Sequence, residues 1–217
     1  MWLSREAISR PRQQPVALVL IMLLSLTSGC LPFVSFAANR LVAGQPVMLW
    51  QMAHGMALLP PLTLLWLLLW ARPTGFRYTL QLMSAGLVLA VMIWLSGDQA
   101  RVLAGQGSRL ARTSFASGMW CGSALTLLLI TDTARALTRR RLWQLVLNLL
   151  VWILPLWLLF SGQLDDLSLL KEYANRQSVF DAALLRHLTL LAATVLPALL
   201  IAFPLGIVLY RRSGWQS

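Results

Sequence analysis

Residues 155–212 read PLWLLFSGQLDDLSLLKEYANRQSVFDAALLRHLTLLAATVLPALLIAFPLGIVLYRR. An apolar run ends at Phe160. A polar, amphipathic segment follows over 161–187. A second uncharged run, 188–210, stops at Arg211 and Arg212. A helix needs about 20 apolar residues to cross a hydrocarbon core of ~30 Å, and this run supplies them. The order is membrane helix, extramembrane elbow, membrane helix with a basic stop.

The same reading extends upstream. Runs at 15–36, 47–71, 78–96, 115–131 and 142–160 also contain no Asp, Glu, Lys or Arg. With 188–210 they make about six spans. Lipid leaves the backbone no partner but itself, so a spanning segment is a helix or part of a closed barrel. The runs lack the two-residue alternation of barrel strands. The expected fold class is therefore all-α, a polytopic membrane protein. Composition agrees: the 217 residues are 58% apolar, against ~45–50% in an ordinary soluble domain.

The net charge is +11, and Lys171 is the only lysine. A basic chain raises the question of nucleic acid. Here the arginines sit at the ends of apolar runs, where they act as topology signals instead. With the N-terminus inside, the inner segments hold Arg5, Arg10, Arg12, Arg72, Arg77, Arg135, Arg139, Arg140, Arg141, Arg211 and Arg212. The outer segments hold Arg40, Arg101, Arg109, Arg112, Lys171, Arg176 and Arg186. The excess inside predicts cytoplasmic N- and C-termini. Arg5, Arg10 and Arg12 before an apolar run also suit a signal peptide, and Thr27-Ser28-Gly29-Cys30 hints at a lipoprotein cleavage box. The run continues apolar to Phe36, which favours an uncleaved first helix.

The tryptophans fall near span ends, Trp50, Trp94, Trp120 and Trp157 outside and Trp66, Trp70 and Trp143 inside. An aromatic belt explains them without a ligand; a cation–π cage for a quaternary ammonium is the sharper alternative. Pro60-Pro61 interrupts the second run, which predicts a kink. His54 reads as a packed or hydrogen-bonded residue near the outer end of that run. Gly86, Gly118 and Gly122 read as points of close helix approach.

The elbow, 161–187, is the outer segment with most content. Leu164, Leu167, Leu170 and Tyr173 form an apolar stripe at helical spacing, with Asp165, Asp166, Lys171 and Glu172 away from it. This predicts an amphipathic helix over 164–176. Ser178 and Asp181 suggest a capping box that opens the next helix. The segment suits either a docking platform or a plain interfacial tether.

Several chemistries are absent. There is no GxxxxGK[ST] phosphate loop, no nucleophile–base set and no metal-ligand cluster. Cys30 and Cys121 read as small apolar residues. Uncharged spans argue against an ion-coupled carrier. No catalytic, cofactor-binding or metal residues are assigned, substrate-binding residues stay unknown, and the chain is not expected to be an enzyme or to carry a cofactor.

A resemblance narrows the remaining membrane roles. LPFVSFAANRLVAG (31–44), ARTSFASGMW (111–120) and PLWLLFSGQLDDLSLLKEYANRQSVFDAALLRHLTLL (155–191) resemble the permease subunit of osmoprotectant ABC importers of the Yeh type, for substrates such as glycine betaine. Pro204-Leu205-Gly206-Ile207 is similar to the PLGI at the inner end of the first core helix of such permeases. The resemblance implies a bacterial inner-membrane importer. Its partners would be cytoplasmic ATPase subunits, a second permease subunit and a periplasmic substrate-binding protein. It divides the chain into an N-terminal membrane region (1–160), a periplasmic elbow (161–187), and the first core helix with a basic tail (188–217). The family core continues with further helices and a Glu-Ala-Ala-type coupling loop. On that pattern the chain is expected to be a truncated or split permease. The alternatives are a stand-alone membrane scaffold or regulatory protein and, less favoured, a small secondary transporter.

Overall fold

The computed structural model describes residues 13–39, 41–106 and 111–211. Two compact units divide at Lys171 and Glu172. The arginines of the N-terminal arm, the Gly107 end of the expected outer-loop break, and the tail from Arg212 lie outside the described residues.

The first unit is a helical bundle closed at one end by a small sheet. Helix α1 (Gln13–Cys30) buries Ala17, Ile21, Leu24 and Ser28. These positions recur at helical spacing, so one face meets the bundle. Val16, Val19, Met22, Leu23 and Leu26 point away and stay exposed. An apolar exterior of this kind suits lipid. Helix α1 stops just before Pro32, which cannot donate a ladder hydrogen bond.

The chain then becomes extended, a local exception to the all-helical expectation in a protein that is mostly helical. Strands β1 (Val34–Ala37), β2 (Gln45–Val47) and β3 (Arg112–Phe115) form an antiparallel sheet in the order β2-β1-β3. Val34 faces Val47 on one side and Phe115 on the other. The expected spans at 15–36 and 47–71 are thus shorter as helices. The first ends at Cys30, and the second begins with 3-10 turns at Leu49–Gln51 and Gly55–Leu58 before α2 (Leu59–Trp70). Pro60-Pro61 does not kink that helix. It opens it, since the first helical turn has no intrahelical use for the missing N–H groups. Thr63 Oγ1 then donates to the Pro60 carbonyl at 2.9 Å.

Helix α3 (Gly75–Gln106) is the longest element of this unit and its centre. It runs on past Asp98 and Arg101, beyond the expected end at 96. Helix α4 (Ser117–Leu137) packs against both α1 and α3. Gly118 and Gly122 make this possible: the Gly118 N–H donates to the Pro32 carbonyl at 2.8 Å, and Gly122 lies against Met92 and Leu24. Close approach of this kind is how membrane helices gain packing energy, because lipid offers no hydrophobic drive between them. Gly86 meets only Val151, at ordinary contact distance.

The fifth expected span is two helices, α5 (Arg141–Leu150) and α6 (Ile153–Phe160), joined at Val151 and Trp152. Gly162 follows α6 with φ of +76°, the left-handed position that glycine fills after a helix end. The amphipathic stripe is partly as expected. Leu164 and Leu167 are buried with Leu158 and Ala100, and Leu170 packs alongside. The helix itself, α7 (Ser168–Asn175), starts later than 164 because the chain turns through 162–166.

In the second unit α8 (Gln177–Arg211) is continuous. Ser178 is therefore inside it, and Asp181 accepts a hydrogen bond from the Tyr173 hydroxyl at 3.2 Å rather than closing a capping box. The apolar side chains of α8 are exposed along its length.

Among the described residues, three helices are long and apolar enough to cross a membrane: Gly75–Gln106, Arg141–Phe160 (α5 with α6) and Gln177–Tyr210. Pro15–Cys30 and Gly55–Trp70 are shorter apolar helices.

Candidate functional site

Polar groups inside the bundle are concentrated on α3. Arg77, Gln81 and Ser84 recur at helical spacing on one buried face. Gln81 Nε2 donates to Thr133 Oγ1 on α4 at 3.2 Å. Ser84 Oγ donates to the Pro61 carbonyl at 2.8 Å, tying α3 to the first turn of α2. Arg77 Nε and Nη1 and Gln81 Oε1 are buried without a hydrogen-bond partner. Sequence reading took Arg77 only as a topology signal. The stripe it forms with Gln81 and Ser84 was the legible clue to more.

The other end of α3 meets the sheet. His54 Nδ1 lies 2.7 Å from Asp98 Oδ2, and the His54 ring sits 5.8 Å from that of Trp94. The Ala53 N–H donates to Gln99 Oε1 at 3.4 Å. Arg101 Nη2 donates to Gln163 Oε1 at 2.9 Å, joining α3 to the turns after α6. His54 is thus a hydrogen-bonded residue with one carboxylate, the plain reading of it. Three segments distant in sequence converge on this cap: β1 pairs with β3 over Val34–Ala37 and Arg112–Phe115, and Thr113 bridges in parallel to Leu167. They belong to the 31–44, 111–120 and 155–191 blocks that carry the resemblance. Trp94 is half-buried here and Trp120 meets the Phe115 ring edge-on with centroids 5.7 Å apart, while Trp50 and Trp157 are exposed; among the described residues no ring contact joins these tryptophans to one another.

Among the described residues, no group of three His, Cys, Asp or Glu could hold a metal. Cys30 and Cys121 are free and exposed. The cap and the buried stripe hold helices together.

The family model of the N-terminal domain of the ABC transporter permease YehY matches residues 11–170. The chain belongs to this family. No curated protein and no solved structure matches the chain. The YehY N-terminal domain and the first compact unit end within one residue of each other, at 170 and Lys171. As an ABC permease domain it is a transport component, with ATP hydrolysis carried by a separate subunit and ATPase partners implied in general. Family and apolar helices together mark a membrane protein.

Proposed function

We propose that this chain is the N-terminal part of a permease subunit in an ABC importer of osmoprotectants such as glycine betaine, in the bacterial inner membrane. The observation that carries the reading is the family match over residues 11–170, which takes in the 31–44 and 111–120 resemblance blocks and the first part of the 155–191 block. In this reading the chain crosses the membrane six times, with both termini cytoplasmic. The turns bearing Arg72 and Arg139–Arg141 then face the cytoplasm, and the sheet and α7 face the periplasm. The cap is the surface available to a periplasmic substrate-binding protein, and a second permease subunit and cytoplasmic ATPases complete the assembly. Residues 188–210 supply the first helix of the transport core.

The test is uptake of radiolabelled glycine betaine in cells lacking other betaine importers. The strain carries a permease in which this segment is joined to the remaining helices of a transport core, with its ATPase and binding protein, or the same set without the ATPase. Uptake that disappears with the ATPase is expected. Uptake that survives its loss would refute the importer and favour a secondary carrier. Absence of betaine uptake alongside ATP-dependent uptake of another solute would move the substrate but keep the class.

A further inference from the structure

Arg77 is a cation for which neither packing nor transport gives a task. It lies in the first turn of α3 and is only 2% exposed. Its guanidinium carbon sits 5.1 Å from the centroid of the Tyr78 ring, and Nε and Nη1 have no hydrogen-bond partner. One turn further, Gln81 Oε1 is orphaned in the same way. Arginine does not shed its charge in proteins. Tyr78 offers it a cation–π contact but no hydrogen-bond acceptor, and a buried charge short of acceptors is strongly unfavourable. A neutral residue would serve packing better at this position, so an acceptor for the guanidinium is called for.

The surroundings indicate which acceptor. The Gln81–Thr133 and Ser84–Pro61 hydrogen bonds fix α2, α3 and α4 as antiparallel neighbours. The turn before α3 and the turn after α4 therefore lie at one end of the bundle. Arg72, Arg135, Arg139, Arg140 and Arg141 stand exposed there. The described carboxylate at this end is Asp132, partly buried near Arg135. Trp70, 89% exposed, ends α2, and Trp143 is exposed in the first turn of α5. Amphipathic rings at helix ends mark headgroup depth, where the prevailing anion is phosphate.

We propose that this end of the bundle binds the phosphate of an anionic phospholipid, with Arg77 as the group that takes it. An arginine within a turn of a helix end extends along its stem to reach the interface. There its fork exchanges an unpartnered interior for paired, charge-assisted hydrogen bonds. The exposed arginines draw the headgroup in, and Arg77 holds it. Nothing in this depends on which solute is transported.

The test uses the full chain in nanodiscs of zwitterionic phosphatidylcholine, with or without phosphatidylglycerol. Free inorganic phosphate on zwitterionic discs is a third arm. Thermal unfolding and lipid retained in native mass spectrometry are the readouts. Near saturation, phosphatidylglycerol is expected to raise the wild-type melting temperature by roughly 5–10 °C. Arg77→Gln should lose most of that rise and most of the retained lipid, while Lys171→Gln, in α7 and outside this end of the bundle, keeps most of both. On zwitterionic discs, where choline neutralises the one phosphate of each lipid, Arg77→Gln should melt close to wild type. Where the glutamine variant does not fold, Arg77→Lys should show less than half the wild-type rise, since it keeps charge but not the fork. An equal rise in wild type and either variant would overturn the proposal. So would Arg77→Gln melting lower on both disc types, which indicates a protein partner, or free phosphate reproducing the full rise.

Discussion

The backbone N–H of Gly118 donates to the carbonyl oxygen of Pro32 at 2.8 Å, and a Cβ on Gly118 would lie 2.8 Å from both that oxygen and the Leu31 carbonyl. Backbone is on both sides of the contact, so nothing soft can yield. Gly118→Ala is therefore expected to destabilise the bundle by about 1–3 kcal/mol, the usual range for overpacking. Gly29→Ala on α1 has open space around its would-be Cβ. It should be neutral or stabilising by up to about 1 kcal/mol, the helix-propensity gain. Thermal unfolding of the two variants in one detergent checks the contrast, and equal melting temperatures would contradict the close packing of α1 on α4.

The buried pair between α3 and α4 has a built-in asymmetry. Thr133 Oγ1 donates to the Leu129 carbonyl at 2.7 Å and accepts from Gln81 Nε2 at 3.2 Å. Thr133→Val leaves the Gln81 amide unpaired at both ends and should destabilise by about 1–3 kcal/mol. Gln81→Leu removes the orphaned oxygen with the pair and should be close to neutral. In Gln81→Leu, adding Thr133→Val should then do little further harm. A double-mutant cycle reads the coupling directly, and additive effects would mean that the two side chains do not interact.

Leu167 and Asp166 are neighbours in sequence with opposite surroundings. Leu167 is 4% exposed, while Asp166 pairs with Lys171 at 3.0 Å with about a third of each side chain exposed. Leu167→Ala should destabilise by about 2–5 kcal/mol through a cavity under the cap. Asp166→Asn should change stability by less than about 1 kcal/mol, as surface ion pairs do. Leu170→Asp should also be damaging, because its carboxylate would enter the same apolar cluster. Expression level and melting temperature order the three variants.

Six crossings with cytoplasmic termini predict a labelling pattern. With Cys30 and Cys121 replaced, single cysteines at Gln106 and Ser168 should react with an impermeant maleimide on intact cells. One at Thr138 should react only after lysis. Labelling of Thr138 from outside would overturn the orientation.

Much of the helical plan could be read from sequence because uncharged runs report lipid directly, and α3, α4, α5 with α6 and α8 fall on four of them. The sheet could not. Val34–Ala37 is apolar and continuous with α1 in pattern, Gln45–Val47 contains a proline, and Arg112–Phe115 looks like loop. Each strand is too short to show alternation, and pairing partners far apart leave no local mark. Helix ends also escaped, because a helix leaving an apolar region continues as long as its polar residues find partners. Asp98 with His54 and Arg101 with Gln163 extend α3 in this way. Arg77 was visible as a charge but not as a buried one, since burial depends on which neighbours arrive.

The pairing of β1 with β3 sets an order of events during synthesis. Val34–Ala37 and Arg112–Phe115 are separated by two helices of the bundle, α2 and α3. At ribosomal speeds of about 5–20 residues per second, a stretch of roughly 80 residues takes on the order of 4–16 s to emerge. For that interval β1 has β2 on one edge and a bare edge on the other. An exposed edge invites pairing with other chains. Nascent copies of this domain on neighbouring ribosomes thus have a window for mispairing that closes when β3 arrives, so a slower or interrupted insertion of α3 would be felt first as aggregation at the cap.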